Sequence, residues 1–534
     1  MSRSRSGPLG RTAALSVVAL LLSACAVGPD YVRPSVVTPG DYKEPQGWTP
    51  AQPRDDASRG PWWEVFGDPQ LNALEAEVSA ANQTVAVAEA QLRQARALVR
   101  QARAAYFPQI TLGVGVTRSR APALSSSGSS GTSGTTTTSI TSGGTGTGTS
   151  GSRGSGQAVT SFTLPLEVSW EPDLWGRVRR SVESNQAGAQ ASAADLVNVA
   201  LSLQAELASD YFQLRSLDAQ KKLLDDTVAY YQRSLQLTRN RYDAGVASRV
   251  DVRQAETQLT STQAQAIDVG VQRAQLEHAV ATLVGRPASN LSLAFAPLTA
   301  TPPPVPVGLP SALLERRPDV AGAERRVAAA NAQIGVAKSA YFPVVTLTAS
   351  FGFESTSFGD WLTWPSRFWA VGPSVSQLVF DGGLRRAQTD QARAAHEATV
   401  ATYRQTVLTA FQEVEDNVAA LRILEQEALA QDAAVRAAVD TVTLVTNQYR
   451  AGTVSYLEVV VAQATALANQ RTAVEIAGRR MAAAVLLVKA LGGGWDASLL
   501  PGRDRIEADS PLNFNPLPPA DTLSSFWDSL PRLW

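Results

Sequence analysis

The chain has 534 residues, a formal net charge of −1 and only 18% charged residues, which leaves no basic footprint for nucleic acid or for an anionic membrane surface. One cysteine and two histidines, His278 and His396, exclude a disulfide framework and offer no cluster at metal-ligand spacing. No GxSxG, HExxH or Rossmann fingerprint occurs, so neither catalysis nor a cofactor is expected.

At the amino terminus, Arg3, Arg5 and Arg11 precede an apolar run from Ala13 to Leu22, which stops at Leu22-Ser23-Ala24-Cys25. Residues 1–24 thus resemble a bacterial lipoprotein signal peptide. That resemblance implies cleavage before Cys25, acylation of Cys25 and, with Ala26 following it, sorting to the outer membrane. Several acyl chains, at about 0.8 kcal/mol per buried methylene, make a durable anchor in outer-membrane lipid. No later run of about 18 apolar residues occurs, so no transmembrane helix is expected in the mature chain. Residues 25–68 are rich in Pro, Gly and Trp and read as an irregular lead-in.

Two similar halves follow, residues 69–288 and 309–494, joined by a Pro-rich connector at 289–308. Leu74 to Pro108 ends in Ala-Ala-Tyr-Phe-Pro and matches Leu309 to Pro343, which ends in Ser-Ala-Tyr-Phe-Pro. The spacing from Tyr-Phe-Pro to the next shared motif is longer in the first half. The extra residues fall in 121–157, nearly pure Ser, Thr and Gly, which reads as a mobile loop that cannot bury a core.

Beside that loop, Ile110, Leu112, Val114 and Val116 alternate with small or polar residues, as do Phe162, Leu164, Leu166, Val168 and Trp170. Val345, Leu347, Ala349, Phe351 and Phe353 repeat the pattern, while Trp369 to Phe380 is less regular. These are period-two strands of the length a membrane β-barrel needs. Four strands cannot close a barrel, whose practical minimum is about 8, so an inserted barrel would be shared among subunits.

Long helices are expected over Arg177 to Tyr242 and Leu384 to Tyr449, each reaching roughly 100 Å if unbroken. Heptad-spaced apolar residues in both predict coiled-coil packing, with Asp210 and Asn417 at the same seam position. Each helix runs into a turn. Arg241 to Val252 reads RYDAGVASRVDV, and Gln448 to Val459 reads QYRAGTVSYLEV. Gly245 and Gly452 supply a left-handed stop, and Ser248-x-x-Asp251 and Ser455-x-x-Glu458 have capping-box spacing, so each turn is the tip of an αα-hairpin. The tail, 495–534, is Pro-rich and aperiodic, expected to pack along the outside or to stay partly disordered.

The two Tyr-Phe-Pro motifs, Glu171-Pro172-Asp173-Leu174-Trp175-Gly176-Arg177, Leu314-Glu315-Arg316-Arg317-Pro318-Asp319-Val320 and the paired turns resemble the outer-membrane factors of tripartite efflux systems, of TolC and NodT type. The resemblance covers about Pro61 to Gly494. It implies a mainly α fold with a membrane β part: a homotrimer in which each chain gives four strands to a 12-stranded barrel, continued by a long periplasmic helical barrel with an equatorial domain. Its implied partners are a periplasmic adaptor and an inner-membrane transporter of the resistance-nodulation-division class.

Family gates close near the second turn, which makes Tyr449 and Glu458 gate candidates, with Asp251 as their counterpart in the first half. Val461 stands where many members carry a second acid. Both acids also fit a capping role, and the two roles are compatible. The turns themselves, Gly245, Val246, Ala247 and Ser248 with Gly452, Thr453, Val454 and Ser455, are expected to dock the adaptor. A type I secretion outlet is the main alternative, and a non-channel surface lipoprotein a more distant one.

Overall fold

The computed structural model describes residues 27–39, 43, 61–120, 158–303, 313–502 and 506. The expected signal peptide with Cys25, the low-complexity segment 121–157, the end of the expected connector and most of the tail lie outside the described residues. The chain divides into two compact units.

The β unit comprises Arg103–Val178 and Ser339–Gly383. Its strands are β1 (Gln109–Leu112), β2 (Gly115–Ser119), β3 (Val159–Trp170), β4 (Val344–Ser355) and β5 (Arg367–Ser376), all paired antiparallel. β1 and β2 keep one register along β3, from Gln109 opposite Ser169 to Ser119 opposite Val159. They are separated where Gly113 faces Pro165. The Gly113 N–H donates to the Pro165 carbonyl at 2.9 Å, but proline has no N–H to return, so the ladder is one-sided there. β3 and β4 form the middle of the sheet, and β1/β2 and β5 form its two edges. The irregular stretch expected from Trp369 to Phe380 is a strand only over Arg367–Ser376; Leu378, Val379 and Phe380 lie beyond it and are exposed.

Direct cross-strand partners share a face, and the register sorts the residues by chemistry. One face carries Ile110, Leu112, Val116, Phe162, Leu164, Leu166, Val168, Trp170, Leu347, Ala349, Phe351, Phe353, Trp369 and Val371. The other is mostly Thr, Ser and Gly, with Glu167 and Glu354. Much of the apolar face is open: Ile110, Leu112, Trp369 and Val371 are each more than 60% exposed.

The helical unit holds α1 (Pro69–Ala81), α2 (Gln83–Ala104), most of α3 (Arg177–Asp243), α4 (Arg249–Leu283), α5 (Pro318–Ser339), α6 (Leu384–Ala451) and α7 (Tyr456–Ala490). α1 starts where Asp68 accepts from the N–H groups of Gln70 and Leu71, with Pro69 in the first turn. The segment before Pro108 is broken at Asn82, which caps α2 by accepting from Thr84 N–H at 2.8 Å and donates to the Leu283 carbonyl at 2.7 Å. At 67 and 68 residues, α3 and α6 are each roughly 100 Å long. Among the described residues no helix is long and apolar enough to cross a membrane.

The main core gathers Leu71, Leu74 and Val78 of α1 with Leu207, Tyr211 and Leu214 of α3, Val280 of α4, Val327 of α5, Tyr403 and Val414 of α6, and Met481 and Leu487 of α7. The lead-in is not wholly irregular, because Trp62–Phe66 forms a 3-10 turn that puts Trp62 and Phe66 into this core. Heptad positions Leu207, Leu214, Leu217, Leu224, Tyr231 and Leu235 are buried as expected. The polar seam residues behave differently: Asn417 donates to the Glu413 carbonyl of its own helix, and half-buried Asp210 is pushed up to about 6 by burial and then by Glu206. Among the described residues neither makes a side-chain hydrogen bond to another helix.

Two buried charges staple the connections to the helices. Asp218, fully buried, accepts from Arg215, from Arg273 Nε at 2.7 Å and from the Ala296 N–H at 3.0 Å. Arg317 bridges Asp319, Glu413 and the Ala490 carbonyl. Gly285 and Gly492 close α4 and α7 with positive φ, and a Cβ on either would lie 2.4 Å from the Ala81 carbonyl oxygen or 2.0 Å from that of Arg316. The chain passes too close there for any side chain.

Candidate functional site

α3 and α6 end in the same device. In the first turn, Gly245 (φ 74°) donates to Tyr242 O at 2.8 Å and Val246 N–H to Arg241 O at 2.8 Å. In the second, Gly452 (φ 78°) donates to Tyr449 O at 3.0 Å and Thr453 N–H to Gln448 O at 3.0 Å. Both are Schellman closures, in which the left-handed glycine satisfies carbonyls that the helix leaves orphaned. Gly245, Val246, Ser248, Gly452, Thr453 and Ser455 are exposed, while Ala247 and Val454 are half-buried.

The helix starts differ. Ser248 Oγ accepts from Asp251 N–H at 3.2 Å, and Asp251 Oδ2 accepts from Ser248 N–H at 3.0 Å, a complete capping box. The equivalent spacing in the second turn does not make one: Ser455 accepts no N–H with its side chain, and Glu458 N–H instead reaches the Ser455 carbonyl at 3.3 Å. The capping reading of Glu458 is therefore corrected. Its carboxylate is free of the backbone and lines an open groove of about 410 Å³ with Ala438, Thr441, Val445, Leu457, Val461, Ala462 and Thr465. With Val461 in place of an acid, that groove is largely apolar.

Tyr449 does not stand with Glu458. It is 5% exposed and belongs to a separate cluster under the turns, with Tyr231, Leu235, Ala255, Leu259, Tyr456 and Val459. Its ring lies 5.3 Å from that of Tyr456, and its hydroxyl is buried without a hydrogen-bond partner. The Arg241 guanidinium lies over the ring at 4.7 Å, while Arg241 Nη1 donates to the Arg450 carbonyl at 3.0 Å. Tyr456 shares a 3.2 Å hydrogen bond with Ser234, and Tyr231 accepts one from Gln258 at 3.1 Å. Burial pushes the Tyr231 and Tyr456 phenols up from their ordinary value, so these two stay neutral.

Sequence reasoning missed Arg241 and Tyr456 as partners of Tyr449. A signal existed in the repeat, where Arg249 stands at the place of Tyr456 and Tyr242 at that of Tyr449. Tyr242 is 44% exposed, so the same tyrosine is buried in only one of the two turns. Among the described residues no group of His, Cys, Asp and Glu could hold a metal.

Comparison with known proteins gives this arrangement its family. The profile described as outer membrane efflux protein matches residues 74–286 and 309–493. A probable efflux pump outer membrane protein, TtgC of Pseudomonas putida, is 31% identical over 488 residues, 90% of this chain and 95% of its own length. The pyoverdine export outer membrane protein OpmQ of Pseudomonas aeruginosa is 30% identical, covering 90% and 96%. Among solved structures, the outer-membrane channel OprN superposes with a TM-score of 0.77 at 30% identity, over 88% of this chain and all of that one. The open state of the MtrE outer membrane channel of Neisseria gonorrhoeae gives 0.74 at 27% identity, over 89% and 99%. With both halves matched and the relatives covered nearly end to end, the chain belongs to the outer membrane efflux protein family.

Proposed function

We propose that the chain is the exit duct of an efflux pump, acting as a homotrimer whose three sheets close one barrel in the outer membrane. The observation that carries this reading is the two-faced sheet: one face apolar and open, the other small and polar, with both edge strands unpaired among the described residues. An unpaired edge is a liability in water and untenable in lipid, so such a sheet needs further strands on both sides. Three copies supply them, and the Thr, Ser and Gly face then lines a wet lumen. Purified protein added to planar lipid bilayers should give stepwise conductance, and a sample that stays inert at every concentration would remove the channel reading.

In this reading Cys25 carries the acyl anchor, the halves 69–288 and 309–494 are repeats, and the cargo is a small molecule, as pyoverdine is for OpmQ and toluene for a toluene efflux pump outer membrane protein of Pseudomonas putida. Gly245 to Ser248 and Gly452 to Ser455 dock the hairpin tips of a periplasmic adaptor, which links the duct to an inner-membrane transporter of the resistance-nodulation-division class. Support comes from the exposure of Gly245, Val246, Ser248, Gly452, Thr453 and Ser455, with Val246 65% exposed and outside the core clusters. Val454 is a poorer probe, since it packs against the Tyr449 cluster. Val246→Trp should abolish cross-linking to the adaptor while leaving protein yield unchanged.

A further inference from the structure

The apolar face of the sheet carries two charged side chains in its strands, and both are arginines at the same end. Arg118 is the next residue after Val116 on this face of β2 and stands opposite Thr160. Arg367 opens β5 and faces Phe353. The acids of the strands, Glu167 and Glu354, are on the opposite face. The end that holds the arginines is the end of the two hairpin connections, since β2 leads into residues 120–158 and β4 into 356–366. The four links to helices leave from the other end, where the apolar face carries Ile110, Trp170, Val345 and Val375 and no cation.

Around Arg367 the surface is aromatic. Its guanidinium lies over the Trp364 ring and its Nε donates to the Trp364 carbonyl at 3.2 Å. Trp364 and Trp369 are 74% and 75% exposed, and Phe358 and Leu362 are similarly open, while Phe162, Phe358 and Trp361 pack within about 6 Å of one another. Neither Arg118 nor Arg367 has a carboxylate partner among the described residues. Asp360, the acid of the 356–366 hairpin, makes no ion pair with Arg367. Two unpaired guanidinium groups thus stand where an apolar, lipid-facing surface gives way to water, beside aromatic side chains suited to that boundary. Guanidinium binds phosphate through two parallel N–H donors, which a cation placed merely for solubility does not require.

We propose that Arg118 and Arg367, with Trp364, form a binding surface for the headgroup phosphates of the phosphorylated glycolipid that fills the outer leaflet. This rests on the reading of the sheet as part of an outer-membrane barrel. It goes beyond that reading by giving the outer rim a lipid preference that the opposite rim lacks. The two arginines occupy opposite edge strands, so closure of a shared barrel brings Arg367 of one copy toward Arg118 of the next.

The test uses the full-length protein in phosphatidylcholine nanodiscs, titrated with diphosphoryl lipid A and followed by native mass spectrometry. Wild type should bind diphosphoryl lipid A well above its dephosphorylated form. Arg118→Gln and Arg367→Gln should each lower that binding about 5-fold, and the double variant by more, without changing binding of the dephosphorylated form. Unchanged binding in the double variant overturns the proposal. So does equal competition by phosphatidylglycerol, which would reveal a general anionic surface rather than a glycolipid site. Conductance of the same samples separates the two levels: a conducting double variant that still binds refutes this site alone, whereas an inert wild type refutes the barrel reading beneath it.

Discussion

Arg241 and Tyr449 join the two turns: the guanidinium from the end of α3 covers the tyrosine ring from the end of α6 at 4.7 Å and also holds the neighbouring Arg450 carbonyl. A cation on an aromatic face contributes about 0.5–1 kcal/mol at a part-exposed site, and the charge-assisted hydrogen bond adds to it. Arg241→Ala should therefore loosen the tip by about 1–3 kcal/mol, read as faster amide exchange over residues 446–456. If Tyr449 takes part in closure, the same variant should raise resting conductance. Unchanged exchange would show that the pair is incidental.

Tyr449→Phe should do little, because the phenol oxygen has no partner to lose. Tyr449→Ala removes a ring that is 5% exposed and should cost about 3–5 kcal/mol. Thermal unfolding of the detergent-solubilised protein distinguishes them. A phenylalanine variant as unstable as the alanine one would point to an unseen hydrogen bond at that hydroxyl.

The two acids after the turns should separate cleanly. Asp251→Ala breaks a complete capping box and should cost about 0.5–2 kcal/mol, seen as fraying of the start of α4. Glu458→Gln touches no cap and should leave stability within about 0.5 kcal/mol of wild type, while shifting ion selectivity if its groove faces the lumen. Equal destabilisation by both would contradict the asymmetry of the turns.

Glu75 occupies the core-facing stripe of α1 between Leu71, Leu74 and Val78, with both carboxyl oxygens buried and unpartnered. Burial pushes it up to about 9, so the folded chain keeps it protonated at neutral pH, whereas an unfolded chain releases that proton near ~4.3. The folded state then binds more protons than the unfolded one between those values. Stability linked to Glu75 is full below the lower value, falls as pH rises, and is lost through about 9. Glu75→Gln should flatten this slope, and Glu75→Leu should stabilise by about 1–3 kcal/mol. Melting curves from pH 5 to 9.5 decide it, and an unchanged slope in both variants would mean that Glu75 is not the group responsible.

Gly285→Ala and Gly492→Ala should each cost more than the ~1 kcal/mol of a positive φ alone, because the added Cβ meets a backbone carbonyl at 2.4 or 2.0 Å. Gly502→Ala, with open space around it, serves as the control in the same expression and melting assay.

What could be read from the residues in order was whatever depends on near neighbours along the chain. Alternation at Ile110 to Val116 and Phe162 to Trp170 dictated two-faced strands, because the side-chain period of a strand is two. The glycines at 245 and 452 dictated helix stops, because only a residue free of Cβ enters the left-handed region cheaply. The family motifs, local strings themselves, carried the assignment that the comparisons bear out. The tertiary structure decided what depends on the facing surface. Tyr242 and Tyr449 sit in nearly the same string, yet one is open and the other lies under Arg241 and against Tyr456. Ser455 and Glu458 have the spacing of a capping box and do not close one. Glu75 looks like an ordinary helix-surface acid until α1 is laid against the core, and the break at Pro165 acquires meaning only with Gly113 opposite. In each case the local string permits two outcomes of similar energy, and packing against a distant segment selects between them.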